Sequence, residues 1–581
     1  MGTLGATGDR RPATGDRRPA TRDPRPATRD TGGPRKTVLL AARSAVALYR
    51  LLDVLPVFAG DERVTRLFTL VPGSAFGVDA LAAIHDVGGR TVPWSEACAS
   101  SYDLILTASP KGDVRLLRGK HVLLPHGAGF NKAIPGEGSP DAASGLDPAY
   151  LLPSAAEPLA LHALAHSDQV ARLAAVSPQS ARHAKVVGDP TLERILASSS
   201  LRERYRAALG TGPRKLLALV STWGPDCLIR QRPGLPAELA GQLPYDEYQL
   251  ALIVHPNERV RLGSHELAER LAPALDAGLV LAGPHEEWAS VLVAADALIT
   301  DHGSAALYFA AERDRPIVSV HRGGTELISG SPMDVLLGQI PELGRAETVV
   351  EALSKYRPGI GESAAQAAFT GRGAALRRLR AAVYDLLGLA PPAFDVSPRL
   401  LPPPPAPSRT PAAFDVHAEI TRDGIRVRRH PAGLGSPGRH LAVEFGAAGE
   451  HLVRSAGLLY RRPLPSPPDS GGVNWTAGGW TRHALSQYPG CRSAAALTAS
   501  GRWLLRTRGH TSLYLVKAEP SQGEGQIVRV DPAAALSAVH TWLAAVRGID
   551  RDETWLTCLV GERAFCVLVR PATDDEAGQT V

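Results

Sequence analysis

The sequence predicts an α/β protein: two successive Rossmann-like domains followed by a small α+β module. Three observations lead there. Short apolar runs alternate with helical stretches in two series, over 36–190 and 191–388. A proline-rich stretch, 389–414, then interrupts the chain, and beyond it the pattern becomes hairpin-like over 415–571, leaving 572–581 as a tail.

Residues 1–35 stand apart from this plan. They read ATGDRRP-ATGDRRP-ATRDPRP-ATRD, a seven-residue repeat with no apolar seam and a proline in nearly every unit. Such composition predicts a disordered basic arm rather than a coiled coil.

In the first series the apolar runs are "TVLLAA" (37–42), "RLFTLVP" (66–72), "RTVPW" (90–94), "YDLILTAS" (102–109), "HVLLP" (121–125), "RLAAVS" (172–177) and "AKVVG" (184–188). Runs that are apolar without alternation mark strands covered on both faces, as in a parallel sheet between helices. A connecting helix over 191–210 leads to the second series. Its strands are "KLLALVS" (215–221), "QLALIVH" (249–255), "AGLVLAG" (277–283), "ADALIT" (295–300) and "RPIVSVH" (315–321), and a helix over 375–388 closes it.

The stretch 390–414 is too rich in proline for a core and predicts a stiff linker. After it, "AEITRDGIRVRRH" (418–430) places a DG turn between alternating segments, a hairpin signal. Strand-like 502–519, helical 532–546 and hairpin-like 554–571 complete the module, whose role the sequence does not indicate.

The chain carries 64 Lys and Arg against 58 Asp and Glu. Residues 1–36 hold nine of those basic residues and four Asp, so the remainder is nearly neutral, 55 against 54. Without a clustered basic surface, nucleic acid is not an expected partner. Cys98, Cys227, Cys491, Cys558 and Cys566 are scattered without a CxxC pair. That points to reduced thiols in a cytoplasmic protein with no thiolate metal site. The most apolar segment, 37–59, is broken by Arg43, Arg50 and Asp53, so no membrane span is expected; peripheral contact with the inner face of the membrane stays open.

The polar residues of interest all fall at strand ends. They are His126-Gly127, Gly188-Asp189-Pro190, Ser221-Thr222-Trp223-Gly224, His255-Pro256 and Asp301-His302-Gly303-Ser304. Open α/β sheets bind ligands outside their strand C-termini, so these turns are expected to line one cleft. A helix opening near Ser304 leaves unpaired amides and a positive dipole end that suit a phosphate. An ordinary helix cap by Asp301 or Ser304 would give the same local sequence. His126 has the chemistry of a general base at neutral pH, and Pro256 holds His255 in extended backbone at its strand end. Buried, hydrogen-bonded histidines would look alike. No HExxH, GxSxG, Walker A or GxGxxG pattern is present, and no metal site is expected.

In order and spacing these turns resemble the CDP-glycerol glycerophosphotransferase family, the wall teichoic acid enzymes. That family shows a W-H-G-T motif, a G-x-P-R turn, a P-T-W-R strand end, an H-P pair and a D-Y-S-S turn. The corresponding places here read "LPHGAGFNK", "VVGDPTLERIL", "LVSTWGPD", "LIVHPNE" and "LITDHGSAALYFAA". Pro125, Thr191, Gly224, His302 and Gly303 stand where the family has Trp, Arg, Arg, Tyr and Ser.

The resemblance implies a GT-B arrangement of the two domains over roughly 36–388. It also implies attack of an acceptor hydroxyl, lipid-linked in the family, on the β-phosphorus of a CDP-polyol, with CMP leaving. His126 would be the base and His255 would stabilise charge on the diphosphate. Thr222, Asp301, Gly303 and Ser304 would cradle the nucleotide, and no cofactor beyond the donor is implied. Two other readings fit the same scaffold: a nucleotide-sugar glycosyltransferase or UDP-sugar 2-epimerase, and a degenerate, non-catalytic nucleotide-binding or scaffold protein.

Overall fold

The structure is a computed structural model that describes residues 35–73, 77–124, 127–133, 159–435, 437–463, 474–498, 500–523, 525–546 and 553–581, with single positions at 143, 146 and 151. The predicted disordered arm up to residue 34, and His126 with Pro125, lie outside the described residues.

The first sheet consists of β1 (Lys36–Ala42), β2 (Val64–Leu70), β3 (Ser101–Thr107), β4 (Arg118–Leu123), β5 (Leu159–Leu164) and β6 (Ala184–Val186), in the order β2-β1-β3-β4-β5-β6. Every pairing in it is parallel. Val38 to Ala42 are fully buried, as expected for a strand with helices on both faces.

Two sequence expectations change here. "RLAAVS" is not a strand but the end of the helix Ser167–Val176, which buries only Leu173 of that run; the strand is the preceding "LALHAL". "RTVPW" contributes only one isolated bridge, Thr91 to Phe68, because Pro93 lacks an amide and the helix Trp94–Ala99 begins next to it.

The second sheet holds β7 (Lys215–Ser221), β8 (Tyr248–Val254), β9 (Val280–Leu281), β10 (Ala297–Thr300) and β11 (Ile317–Ser319), all parallel, in the order β11-β10-β7-β8-β9. Strand order reverses between β7 and β10, so the crevice for a ligand opens where Thr222 and Asp301 leave their strands. The predicted connecting helix is broken, running Pro190–Ala197 and then Arg202–Ala208. The closing helix Ala375–Leu387 crosses back: Leu376, Leu379, Val383 and Tyr384 are buried in the core of the first domain. Gly388, at φ 66°, ends that helix in the left-handed region.

The proline-rich segment is strapped along the second domain. The Tyr205 hydroxyl donates to the Leu401 carbonyl at 2.8 Å, and the Leu401 side chain enters the domain core. The C-terminal region, expected as a small α+β module, closes on itself. Nine strands close into a barrel: β12 (Ala413–Thr421), β13 (Gly424–Pro431), β14 (His440–Glu444), β15 (Leu458–Arg461), β16 (Ser493–Leu497), β17 (Trp503–Thr507), β18 (Leu513–Ala518), β21 (Thr554–Val560) and β22 (Arg563–Pro571). A small hairpin, β19 (Ser521–Gly523) and β20 (Gln526–Val528), stands beside it.

The helix Pro532–Ala545 is apolar all round and packs against β12, β13, β15, β17 and β21, with Ala533 to His540 buried. It fills the barrel as a core element. The barrel docks on the second domain through Arg429, whose side chain is fully buried. Its guanidinium donates to Asp246 at 2.6 and 2.8 Å and to Asp531 at 3.0 Å. The tail packs too: the Val581 amide donates to the Trp475 carbonyl at 3.0 Å.

Candidate functional site

A cleft lies between the two α/β domains, lined by the C-terminal ends of β7, β8 and β10, the loop after β4 and the helix Ala45–Val54. Thr222, His255, Gly303 and Ser304, four of the expected site residues, line it together with Gly127.

Asp301 is placed differently. It is 1 % exposed, and its carboxylate accepts the amides of Thr222 (2.8 Å), Leu228 (2.9 Å) and Gly303 (2.9 Å). It ties the turn after β7 to the turn after β10, which makes it a positioning residue. Gly303 is glycine because of this closeness: a Cβ there would sit 3.1 Å from both the Asp301 carboxylate and the Thr222 Cβ.

Ser304 precedes the helix Ala305–Glu312 without capping it through its side chain. The amides of Ser304 and Ala305 have no hydrogen-bond partner among the described residues. The helix end therefore presents two donors and a hydroxyl into the cleft. A Cβ built on Gly127 would lie 3.6 Å from Ser304 Oγ, so the turn after β4 faces this helix end directly.

His255 opens the helix Pro256–Leu262, and its Nδ1 accepts the Asn257 amide at 3.1 Å. That bond assigns the proton of the neutral ring to Nε2, which makes Nε2 a donor. The Trp223 ring lies 6.1 Å from the imidazole.

Several residues of the cleft were not singled out by sequence. Lys132 donates to the Trp223 carbonyl, stands 4.6 Å over the Trp223 ring and pairs with Glu326 at 3.2 Å. Burial lowers its ammonium below the ordinary lysine value, and Glu326 opposes that. Glu326 is itself buried, with Oε2 3.1 Å from His302 Nε2. Burial pushes its carboxyl up, but His302 and Lys132 outweigh this and hold it below its usual range. Gly224, at φ 103°, leaves room for this carboxylate, because a Cβ would fall 2.1 Å from Glu326 Oε1. His302 is buried beside it, 5.0 Å from the His321 ring.

On the other wall, Asp53 accepts the Thr191 hydroxyl and pairs with Arg194 at 2.9 Å; Arg194 also meets Glu286. Arg50 stands 5.2 Å over the Tyr308 ring, and the Tyr308 hydroxyl donates to Asp189 at 2.8 Å. The sequence signal for this wall was "AVALYRLLDV", where Arg50 and Asp53 share one face of an otherwise apolar helix.

The two walls are joined through the loop after β4. Ala133 N donates to Glu326 O (2.7 Å), Ile328 N to Asn131 O (2.8 Å) and Met333 N to Asn131 Oδ1 (3.1 Å). Among the described residues, no cluster of three His, Cys, Asp or Glu is placed to hold a metal ion. Among them, too, no helix is long and apolar enough to cross a membrane.

Fold and cleft together define a two-domain α/β protein with a ligand crevice at its strand ends and a barrel docked on the second domain. No family model matches the chain, and no curated protein matches it. Solved structures do. The wall teichoic acid polymerase TagF aligns with 61% of this chain and 89% of its own at 11% identity and a TM-score of 0.43. S. aureus MnaA, in a co-structure with UDP, aligns with 63% of this chain and 100% of its own at 11% identity and a TM-score of 0.39. Anabaena HepE, in complex with UDP and glucose, covers 61% and 96% at 13% identity and a TM-score of 0.36.

Proposed function

We propose that the chain is a GT-B-type transferase that takes a nucleotide-diphosphate donor into this cleft and passes a polyol phosphate, as in CDP-glycerol, to a hydroxyl acceptor. The uncapped helix end at Ser304 and Ala305, set at the strand-order reversal, carries this reading. It offers donors to phosphate oxygens at the place where open α/β sheets bind ligands.

In this mechanism the acceptor oxygen attacks the β-phosphorus as its proton passes to His126. The bond from the β-phosphorus to the bridging oxygen breaks, and the nucleoside monophosphate leaves. His255 Nε2–H donates to the diphosphate as charge grows on the bridging oxygen, and Ser304 and Thr222 hold the equatorial oxygens. Such transfer depends on positioning and electrostatics more than on covalent participation by the protein.

One observation favours the nucleotide-sugar version on the same scaffold: Asp53 and Glu286 put carboxylates on the cleft wall. Thermal-shift titration of the full chain separates the readings, since a ligand that binds only the folded state raises its melting temperature. The ligands are CDP-glycerol, CDP, CMP, UDP and UDP-N-acetylglucosamine. Stabilisation by cytidine nucleotides alone is expected; a uridine preference moves the function to sugar chemistry, and no shift with any of them refutes a nucleotide donor.

A further inference from the structure

We propose that Arg50, on the first-domain helix after β1, is the cation that grips the anionic group of the ligand opposite the helix end at Ser304. The proposal rests on the donor reading above and names a residue that no motif of the chain assigns to it. Among the described residues, three Lys and Arg side chains line the cleft: Lys132, Arg194 and Arg50. Lys132 is neutralised by Glu326, and Arg194 by Asp53 and Glu286.

Arg50 differs from both. Among the described residues it has no carboxylate within ion-pair distance, and its Nη1 is buried without a hydrogen-bond partner. Burial lowers the Arg50 guanidinium, but Tyr308 and the nearest acids, Asp189 and Asp53, outweigh it and raise the group, yet both carboxylates also serve other donors. Asp53 is held by Arg194 and the Thr191 hydroxyl, and Asp189 by the Leu192 amide and the Tyr308 hydroxyl, each at 2.8 Å. A buried guanidinium nitrogen without an acceptor is costly unless a ligand supplies one.

Its position fits an anion. Arg50 lies against Tyr308, one turn into the helix whose N-terminus carries the free amides of Ser304 and Ala305. A diphosphate placed there is held by amides from the second domain and by a guanidinium from the first. Ligand binding there bridges the two domains.

The test compares full-length wild type, Arg50→Gln and Arg50→Lys by calorimetric titration with CDP, UDP and inorganic pyrophosphate at several salt concentrations, with the unliganded melting temperature as a folding control. Arg50→Gln is expected to weaken diphosphate binding about ten- to a hundred-fold and to flatten its salt dependence. Arg50→Lys, which keeps the charge but loses the planar fork, should fall between. It also preserves the test if the glutamine variant fails to fold.

Equal affinity for a nucleotide diphosphate in wild type and both variants overturns the role of Arg50 and leaves the donor reading intact. Arg50-dependent binding of pyrophosphate with no binding of CDP or UDP supports Arg50 and removes the nucleotide. Wild type that binds none of the three overturns both.

Discussion

Asp301→Ala tests whether this carboxylate organises the cleft rather than touching the ligand. The change removes one acceptor group from three backbone amides, those of Thr222, Leu228 and Gly303, in a site that is 1 % exposed. A buried donor left unsatisfied costs about 1–3 kcal/mol, and the three losses overlap because the turn relaxes, so about 3–6 kcal/mol is expected. With a urea slope of about 2 kcal/mol per molar, the unfolding midpoint of the second α/β domain should drop by roughly 2 M. Far-UV circular dichroism during urea titration reads this directly. Asp301→Asn keeps an oxygen for the Thr222 and Leu228 amides and turns its amide group toward Gly303 N–H, so it should lose about half as much. If Asp301→Ala shifts the midpoint by less than about 0.3 M, the two turns are held by something else and the positioning role is wrong.

Three further outcomes follow from the same physics. His126→Ala and His255→Ala should each lower kcat by at least about 10²-fold while the protein stays folded, His255→Ala losing only the few degrees that its helix cap contributes; retained turnover in either variant removes that residue from the mechanism. Burial holds the rings of His440 at about 3 and His540 at about 4, below their ordinary 6.5, and the two rings sit 4.5 Å apart in the barrel. The folded state keeps them neutral, whereas the unfolded chain binds protons first. Stability is therefore full above pH ~6.5 and falls as the pH drops toward ~3; melting temperature against pH should show this limb, and His440→Leu should make it shallower while His540 and His162 keep the rest. Arg429→Met leaves the largely buried Asp246 without its cation and Asp531 with Arg462 alone, 3.5 Å away, and should cost about 3 kcal/mol; adding Asp246→Asn should recover part of that loss, and strictly additive losses would deny the coupling.

What could be read from the sequence was whatever local pattern dictates. β7, β8 and β10 are continuous apolar runs bounded by turn residues, and their pattern alone placed them. "RLAAVS" failed because a short apolar run on a half-buried helix looks like a strand until its neighbours are known. β5 was missed although it is more apolar than β4; its His162 ring is buried, and burial lowers it to about 4. Barrel closure was out of reach for a different reason. It depends on parallel pairings between distant segments, Ile425 with Cys558 and Leu458 with Ser493, which no local period encodes.

The candidate site divides in the same way. Polar residues at strand ends pointed to the cleft, because the C-terminal edge of a parallel sheet is fixed by topology. Their partners did not, because partnership is set across the cleft. From sequence Asp301 had the character of a cap or a ligand, but the space between two turns uses its oxygens on backbone amides instead. Glu326 lies on a stretch with no motif, yet it fixes Lys132 and leaves room for nothing larger than glycine at residue 224. The loop that carries His126-Gly127 is sewn to residues 326–333 by Asn131 and Ala133, about two hundred positions away in the chain. The position of Gly127 relative to Ser304 is therefore set by the second domain as much as by its own strand. Asn131→Ala, which removes the acceptor for the Met333 amide, should thus lower kcat while leaving KM for the nucleotide nearly unchanged. An equal rise in KM would place the loop in ligand binding instead.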